Sequence, residues 1–464
     1  MPTNIFYLKV CMHLVKSTTD GFKRKITIIS AVLLSTSAMA QENSPYSRYG
    51  MGDIVPNQNM VSRAMGGISA GYSDFQSINL VNPAALGQIR STIFDIAGEV
   101  DIRNLKSNTS PEKFKSVNSL ISYLQLGVPL STEKMLKKKK FWGASFGLRP
   151  VTRINYKVES NSRRSGLDSL NTVYEGSGGI TQANISTGLK IKNFSIGIST
   201  GYTFGSKDYS TILNFISDSI AYFKSRTSTV TRFGGAFLNT GMQYEIAIKN
   251  KKTNKKENIL RFGAYINLQQ NLSAKQDKVN ETIAFDGNGG IVSIDTISAV
   301  INQSGKITFP ATYGFGISHS TRNFLIGADL EMSNWDDYRY YGEKDFVQNS
   351  YMVRVGAQYY PAKDNTLPSK YWSFVKYRAG MYIGNDYIKL SDNNRPVYAF
   401  TAGVGMPLTS LQRISYTGEI VALNAGIEMG ARGNKESQSL RENYMRVNIG
   451  VSMNARWFVK PKYN

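Results

Sequence analysis

Hydrophobic and polar residues alternate with a period of two over most of this chain. In the first such segment, Phe94, Ile96 and Val100 alternate with Asp95 and Glu99. Alternation of this kind predicts β-strands with one apolar face and one polar face. Many of the segments have ten or more residues, whereas strands of soluble proteins usually have about five or six. About ten residues suffice to cross a bilayer at a tilt, so the pattern favours transmembrane strands.

Counting the alternating segments gives fourteen strands, an even number as in bacterial barrels. They cover approximately residues 91–105, 116–130, 140–158, 171–191, 194–205, 228–248, 258–275, 305–319, 323–335, 349–361, 370–386, 396–407, 412–430 and 442–459. The sequence therefore predicts an all-β fold, a 14-stranded antiparallel transmembrane β-barrel.

The connections between these strands alternate between short and long. Short turns lie near Asn193 and at 320–322, whereas the segments 206–227 and 276–304 are long. Bacterial barrels have short periplasmic turns and longer extracellular loops. We therefore expect the short turns and both chain termini in the periplasm, and the two long segments outside the cell.

The first forty residues read as a cleaved secretory signal peptide. A basic group at Lys23–Lys25 precedes an apolar run from Ile26 to Leu34, and Ala38–Ala40 forms a small-residue cleavage site before Gln41. The apolar run is too short for a membrane-spanning helix. Export with a barrel pattern predicts the bacterial outer membrane, with its lipopolysaccharide, as the location.

Charge and rare residues exclude several kinds of chemistry. The only cysteine, Cys11, lies in the predicted signal peptide, and His319 is the one histidine of residues 41–464. Disulfides and thiolate sites are thus excluded from the mature chain, and we expect no metal, no cofactor and no catalytic residue. The glycines of Gly176–Gly179 lack the Lys-Ser/Thr of a phosphate-binding loop. The chain is accordingly predicted not to be an enzyme.

The formal net charge of +22, or +18 for residues 41–464, raises the alternative of nucleic-acid binding. Lysines cluster at Lys137–Lys140 and between Lys249 and Lys256, both in turns assigned to the periplasm. An export signal and a barrel pattern make solvated turns the preferred interpretation, with no nucleic-acid partner.

Residues 41–90 do not show the alternation of hydrophobic and polar residues seen in the rest of the chain. This segment holds Arg63-Ala64-Met65-Gly66-Gly67 and, just before the first strand, Asn82-Pro83-Ala84, and its many turn residues predict compact irregular structure. In both motifs the sequence resembles the FadL family of outer-membrane transport proteins. The resemblance implies that residues 41–90 form a hatch that plugs a fourteen-stranded barrel. It also implies long-chain fatty acids or other hydrophobic molecules as substrates, and it assigns hatch or gate roles to Met65, Gly66, Gly67, Asn82, Pro83 and Ala84.

Inward-facing positions can be read from the parity of the strands. Many are glycine, including Gly197, Gly263 and Gly356, and small residues there leave room for a plug to approach the wall. Charged inward candidates are Asp95, Glu99, Asp101, Arg103, Arg261, Asp329, Glu331, Arg354, Arg378, Glu428, Arg446 and Arg456. Two interpretations stay open, a lining that clamps the hatch or guides an anionic headgroup and, preferred at this point, ordinary hydration of the lumen.

Pro150 interrupts the third predicted strand. Proline has no N–H, so it removes one hydrogen bond from the ladder. Unsatisfied backbone in a bilayer is tolerated where it faces protein or a water-filled space. An opening in the wall for sideways release of a ligand would meet that condition and resembles the release route proposed for FadL. The alternative is a simple bulge or strand end on the extracellular side.

The sequence thus predicts three parts: a signal peptide at 1–40, a hatch at 41–90 and a barrel at 91–464. The leading hypothesis for the function is passive uptake of hydrophobic small molecules, such as long-chain fatty acids, gated by the hatch. The alternative is a noncatalytic barrel subunit of a larger outer-membrane assembly for secretion or barrel insertion, with other envelope proteins as partners. Barrel sequence alone does not separate the two, because fold does not determine function.

Overall fold

The computed structural model describes residues 44–106, 113–163, 169–216, 222–249, 256–286, 290–362, 370–390, 395–410, 418–434 and 440–455. The predicted signal peptide and Arg456 lie outside these residues.

Fourteen antiparallel strands close into a barrel, in which β18 pairs with β2. The wall strands are β2 (Thr92–Lys106), β3 (Lys113–Pro129), β4 (Lys140–Ser162), β5 (Ser169–Ile191), β6 (Phe194–Ile216), β7 (Lys224–Lys249), β8 (Lys256–Asn267), β11 (Thr312–Ser320), β12 (Phe324–Ser333), β14 (Ser350–Tyr359), β15 (Lys376–Asn385), β16 (Pro396–Pro407), β17 (Ile420–Arg432) and β18 (Arg441–Ala455). The predicted fold class and strand number are confirmed.

A long hairpin stands on one rim of the barrel. It consists of β9 (Gln270–Phe285) and β10 (Ile291–Phe309), which continue β8 and lead into β11. The first half of β7, residues 224–234, pairs with β9, whereas its second half pairs with β8. We call this rim the hairpin end and the opposite rim the short-turn end.

The two long connections of the sequence analysis are mostly strand, so the expectation of loops is corrected. Within 206–227, β6 continues to Ile216 and β7 begins at Lys224. The segment 276–304 forms most of the β9–β10 hairpin. Within the hairpin the pairing of β9 with β10 shifts register at three places, so the period of two is interrupted there and the segment did not read as strand.

Side chains of the wall alternate between an apolar outer face and a polar inner face. Phe146 and Ile198 point outward and are 51% and 43% exposed, whereas Asp95 and Gln125 point inward and are each 1% exposed. The inner face is thus shielded from solvent although it is polar. Something other than water must fill most of the lumen beside it.

Short elements make up the rest of the described chain. They are β1 (Asp53–Ile54), β13 (Arg339–Tyr340), the helices α1 (Met60–Arg63) and α2 (Glu133–Lys137), and the 3-10 turns η1 (Pro45–Arg48), η2 (Pro83–Gln88), η3 (Trp335–Asp337) and η4 (Tyr371–Phe374). None of the helices within the described ranges has the length and apolar character to span a membrane.

The described chain begins and ends at opposite rims. Ser44 hydrogen-bonds to Glu442 near the start of β18, at the hairpin end, whereas Ala455 finishes β18 at the short-turn end. The expectation of periplasmic termini concerns residues 41–43 and 456–464, which lie outside the described residues, and it stays a prediction. The chain enters at the hairpin end, passes down the lumen and starts the wall at the short-turn end.

Single cysteines can establish which rim faces outward, because cysteine is absent beyond Cys11. Ser293 lies on β10 at the hairpin end and Thr321 in the turn between β11 and β12, and both are accessible. We expect Ser293→Cys to react with an impermeant maleimide on intact cells and Thr321→Cys to react only after permeabilisation. The reverse pattern would show that the short turns face outward.

Candidate functional site

Residues 44–89 lie inside the barrel and are called the luminal segment here. Most of their large apolar side chains are almost fully buried, whereas Ile54 and Phe75 are exposed; Met51 and Met65 have no exposed surface and Tyr72 has 1%. The segment passes from η1 through β1 and α1 to η2, with irregular backbone between these elements. Its position is set by contacts with the wall rather than by its own secondary structure.

The predicted motif at Met65, Gly66 and Gly67 forms the turn after α1. Gly66 and Gly67 have φ values of 65° and 86°, which favour glycine. The N–H of Gly67 donates to the Ser62 carbonyl at 2.8 Å, and that of Gly66 donates to Thr401 Oγ1 at 2.8 Å. This turn therefore joins the luminal segment to β16.

Wall glycines let the same turn approach the barrel backbone. A side-chain carbon at Gly356 would overlap the carbonyl oxygen of Met65, and one at Gly380 would overlap the N–H of Gly66. The close approach needs both positions to lack a Cβ atom. The inward glycines of the sequence analysis here border the luminal segment.

The second predicted motif, Asn82, Pro83 and Ala84, starts η2. The Asn82 side chain accepts the N–H of Ala84 at 3.1 Å as an N-cap, and Pro83 occupies the first position of the turn. The other side of the Asn82 amide donates to the carbonyl oxygens of Ala70, at 2.8 Å, and of Met242 on β7, at 3.3 Å. Asn82 thus links two parts of the luminal segment to the wall.

Ion pairs connect the luminal segment to the wall at two further points. Arg63 reaches Glu99 at 2.5 Å and Glu428 at 3.5 Å. Asp53 contacts Arg103 and Arg432, each at 2.7 Å. All of these side chains are at most 11% exposed, so the pairs form in a shielded environment.

The charge of Asp53 depends on these two arginines. Burial alone would raise the pKa of Asp53, but the attraction of Arg103 and Arg432 outweighs it and holds the pKa below the ordinary 3.8. A carboxyl with a lowered folded-state pKa contributes its full stabilisation above its unfolded value. The contact is therefore complete at neutral pH and is lost only as the pH falls through the lowered value.

The ion pairs continue along the wall as one network. Asp101 joins Arg103 to Arg446, which in turn contacts Glu428 at 2.6 Å. On the other side, Asp386 contacts Arg432 at 2.8 Å. Of the charged candidates from the sequence, Asp101, Glu99, Arg103, Glu428 and Arg446 belong to this network.

Sequence analysis did not identify the luminal partners of the network. Asp53 and Arg63 are two of the few charged residues of the luminal segment, which is a signal that could have singled them out. Arg432 and Asp386 were missed because they lie at a strand end and in a connection.

A gap separates β3 from β4 toward the hairpin end. The two strands pair only from Pro129–Gly143 up to Leu124–Leu148, beyond which β3 contacts β2 and β4 contacts β5. Pro150 lies just past the last pair. A bulge at Val151 follows against β5, so both the predicted loss of pairing and the alternative bulge occur at this position.

The luminal segment occupies this gap. Asp53 and Ile54 of β1 pair with Arg153 and Thr152 of β4, and the N–H of Val55 donates to the Val151 carbonyl at 2.9 Å. β1 thus takes the place that β3 leaves beside β4. Ile54 is 43% exposed there, whereas the adjacent Asp53 and Val55 are 4% and 5% exposed.

A cavity of about 250 Å³ lies in the lumen behind the gap. Its lining combines Ile54 and Val151 at the gap with the buried aromatic residues Trp335 and Tyr387. It also includes Arg149, whose guanidinium donates to Gln182 Oε1 at 3.0 Å but makes no ion pair with any described residue. The cavity is therefore apolar in part and positively charged beside the gap.

The predicted gate residues form three groups and not one site. The turn at 65–67 faces β14–β16, the Asn82 motif faces β5–β7, and Pro150 lies on β4 at the gap. Within the described ranges, no cluster of three or more His, Cys, Asp or Glu could hold a metal ion.

Comparison with known proteins places the chain in a family. The family model described as BamG matches residues 22–464. The chain belongs to the BamG family. No curated protein matches it.

Solved structures with a similar fold include hydrocarbon transporters. The toluene transporter TodX of P. putida has a TM-score of 0.54 and 15% identity, over 88% of this chain and all of that one. A TodX monoaromatic hydrocarbon channel with a deltaS2 mutation has a TM-score of 0.53 and 15% identity, over 87% and 99%. At this identity the likeness establishes the fold, and it confirms the FadL-like architecture that the sequence motifs indicated.

The luminal ion pairs predict a specific effect of Arg63→Ala. The change leaves Glu99 and Glu428 without their luminal counter-charge, which in a buried site costs about 3–5 kcal/mol. We expect faster hydrogen exchange of backbone amides around α1 in detergent-solubilised protein. Arg48→Ala is the matched control, because Arg48 belongs to the same segment but is exposed. Equal exchange in both variants would contradict an anchoring role for Arg63.

Proposed function

We propose that this protein is a passive outer-membrane channel for the uptake of hydrophobic small molecules. The observation that carries the proposal is the gap between β3 and β4, which the luminal strand β1 closes. The ligand enters from the hairpin end, reaches the lumen cavity and leaves sideways once β1 withdraws from β4. The luminal segment then acts as the hatch, with Met65, Gly66, Gly67, Asn82, Pro83 and Ala84 holding its fixed part.

The wall must keep its backbone hydrogen-bonded where it meets lipid. At the gap, β1 supplies partners that β3 does not, through two paired residues and the Val55 bond. So short a strand is easily displaced compared with a full wall strand. This supports β1 as the movable part, whereas the many contacts of the 65–67 turn support a static role for that region.

The cavity lining favours a ligand with an apolar body and an acidic head. Trp335 and Tyr387 offer apolar surface, while Arg149 places a buried cation beside the cavity that forms no ion pair with a described carboxylate. A long-chain fatty acid has both properties, and toluene, the ligand named for the TodX transporter, has only the first. We therefore favour fatty acids as the substrate class. The transport role is noncatalytic, and the location proposed for it is the outer membrane after cleavage of residues 1–40.

A disulfide between β1 and β4 tests the gate directly. Ile54 and Thr152 are opposite each other in an antiparallel pair, where Cα atoms are about 4.5–5.5 Å apart, within the range for a disulfide. In liposomes with oxidised I54C/T152C, we expect uptake of a fluorescent long-chain fatty acid to stop and to return after reduction.

The control disulfide joins Val353 and Ile383, which are paired on β14 and β15 away from the gap. It should leave uptake unchanged in both redox states. Unchanged uptake through the oxidised I54C/T152C protein would rule out release through this gap.

Replacing Pro150 with Val tests whether proline keeps the gap open. Valine restores an N–H and so permits β3–β4 pairing to extend past Leu148. We expect slower fatty-acid uptake with normal assembly, judged from heat-dependent migration on gels. Normal uptake by this variant would show that Pro150 has no part in release.

A second candidate function is a noncatalytic subunit of a larger outer-membrane assembly. The exposed β10 strand supports it, because Ile294, Ile297 and Ile301 are 47%, 67% and 56% exposed beyond the barrel wall. Long exposed edge strands with apolar residues are templates for pairing with other chains. Stoichiometric co-purification with other envelope proteins after mild solubilisation, lost on deletion of 276–304, would favour this function over transport.

A further inference from the structure

The short-turn end carries a compact group of exposed basic side chains where β4 meets β5. We call it the basic rim; it consists of Arg90, Lys134, Lys137, Lys138, Lys139, Lys140 and Lys192. Glu133 is the one acidic residue between Ser131 and Lys140. The basic rim thus carries a strong local excess of positive charge.

Tertiary structure gathers these residues from three parts of the chain. The N–H of Lys192 donates to the carbonyl of Lys139 at 3.1 Å, which joins the β5–β6 turn to the start of β4. The Arg90 guanidinium lies 3.8 Å from the centre of the Phe141 ring. Glu245 of β7 is already engaged by Lys190 and Arg261 inside the barrel.

The lysines of the basic rim border the lipid-facing surface, whereas Arg90 lies where the luminal segment meets β2. Lys140 has the same parity on β4 as Trp142 and Phe146, which are 41% and 51% exposed on the outer face. Leu136 of α2 is also 43% exposed. The lysine side chains therefore lie next to the aromatic and apolar band that contacts acyl chains. This is the level at which phospholipid headgroups lie.

We propose that the basic rim binds anionic phospholipid headgroups, of the phosphatidylglycerol class, in the leaflet at the short-turn end. Several lysines beside a membrane surface attract acidic lipids, each adding to the affinity. The adjacent Trp142, Phe146 and Leu136 favour a lipid over an acidic protein, because they place the acyl chains of the same molecule against apolar surface. The lipid site fixes the depth of β4, the strand that borders the gap.

Trp142 reports on the lipid beside the basic rim. The protein is reconstituted in phosphatidylcholine vesicles that contain a minor fraction of phosphatidylglycerol, with brominated acyl chains on one lipid at a time. The Trp142 contribution to quenching is the difference between each protein and its Trp142→Phe version. We expect phosphatidylglycerol to be enriched at Trp142 by about fivefold or more over its bulk fraction. High salt should reduce this enrichment.

Two triple variants show whether the enrichment of phosphatidylglycerol depends on the basic rim or on the net charge of the protein. In K137Q/K138Q/K140Q the enrichment should fall to the bulk value. In K275Q/K278Q/K306Q, which removes three exposed lysines from the hairpin end, it should persist. Both variants must show the heat-dependent gel migration of the folded barrel.

Three outcomes would overturn the proposal. They are no enrichment in the parent protein, the same enrichment in K137Q/K138Q/K140Q, or an equal loss in the hairpin-end variant. An acidic protein that binds the purified parent but not K137Q/K138Q/K140Q, without lipid enrichment, would assign the basic rim to a protein partner instead.

Discussion

Buried charge is the constraint on which the rest of this structure depends. The period of two gives each strand one apolar face, which contacts lipid, and one polar face, which points inward. Barrel closure then shields the polar face from water. An ionised group in such a place costs several kcal/mol unless it is paired. Arg63 and Asp53 supply charges to Glu99, Glu428, Arg103 and Arg432, so the luminal segment and the wall complete each other.

The same constraint explains why the luminal segment has so little regular structure. Its elements are single turns and a two-residue strand, yet most of its side chains are buried. Backbone groups that a helix would satisfy internally are satisfied by the wall instead, as when Asp329 accepts the N–H groups of Ser69 and Ala70. Glycines such as Gly356 allow this contact because they leave no side chain between the two backbones.

The gap between β3 and β4 is where the wall itself lacks a partner. A closed barrel has no unpaired strand edges. An open barrel exposes two edges, and another segment must pair with them. Here β1 occupies that edge, with a much shorter paired region than a wall strand has. The same element therefore belongs to the plug of the lumen and closes the wall. Fold likeness to a toluene transporter does not by itself assign a function, so the proposal for this protein depends on that element and on the cavity behind it.

The sequence by itself determined the barrel, its strand number and most strand positions, because alternation is a local property that each strand carries independently. It also set residues 41–90 apart as compact irregular structure, because their glycines and turn residues break the alternation. Only the tertiary structure decided which side chains meet. Ser44 and Glu442 are 398 residues apart, and no local pattern predicts that contact or the direction in which the luminal segment crosses the barrel. Pro150 was visible in the sequence as a break in one strand. The structure alone shows that β3 is the neighbour lost there and that β1 replaces it. Barrel closure decides both, because it brings together residues that are distant along the chain.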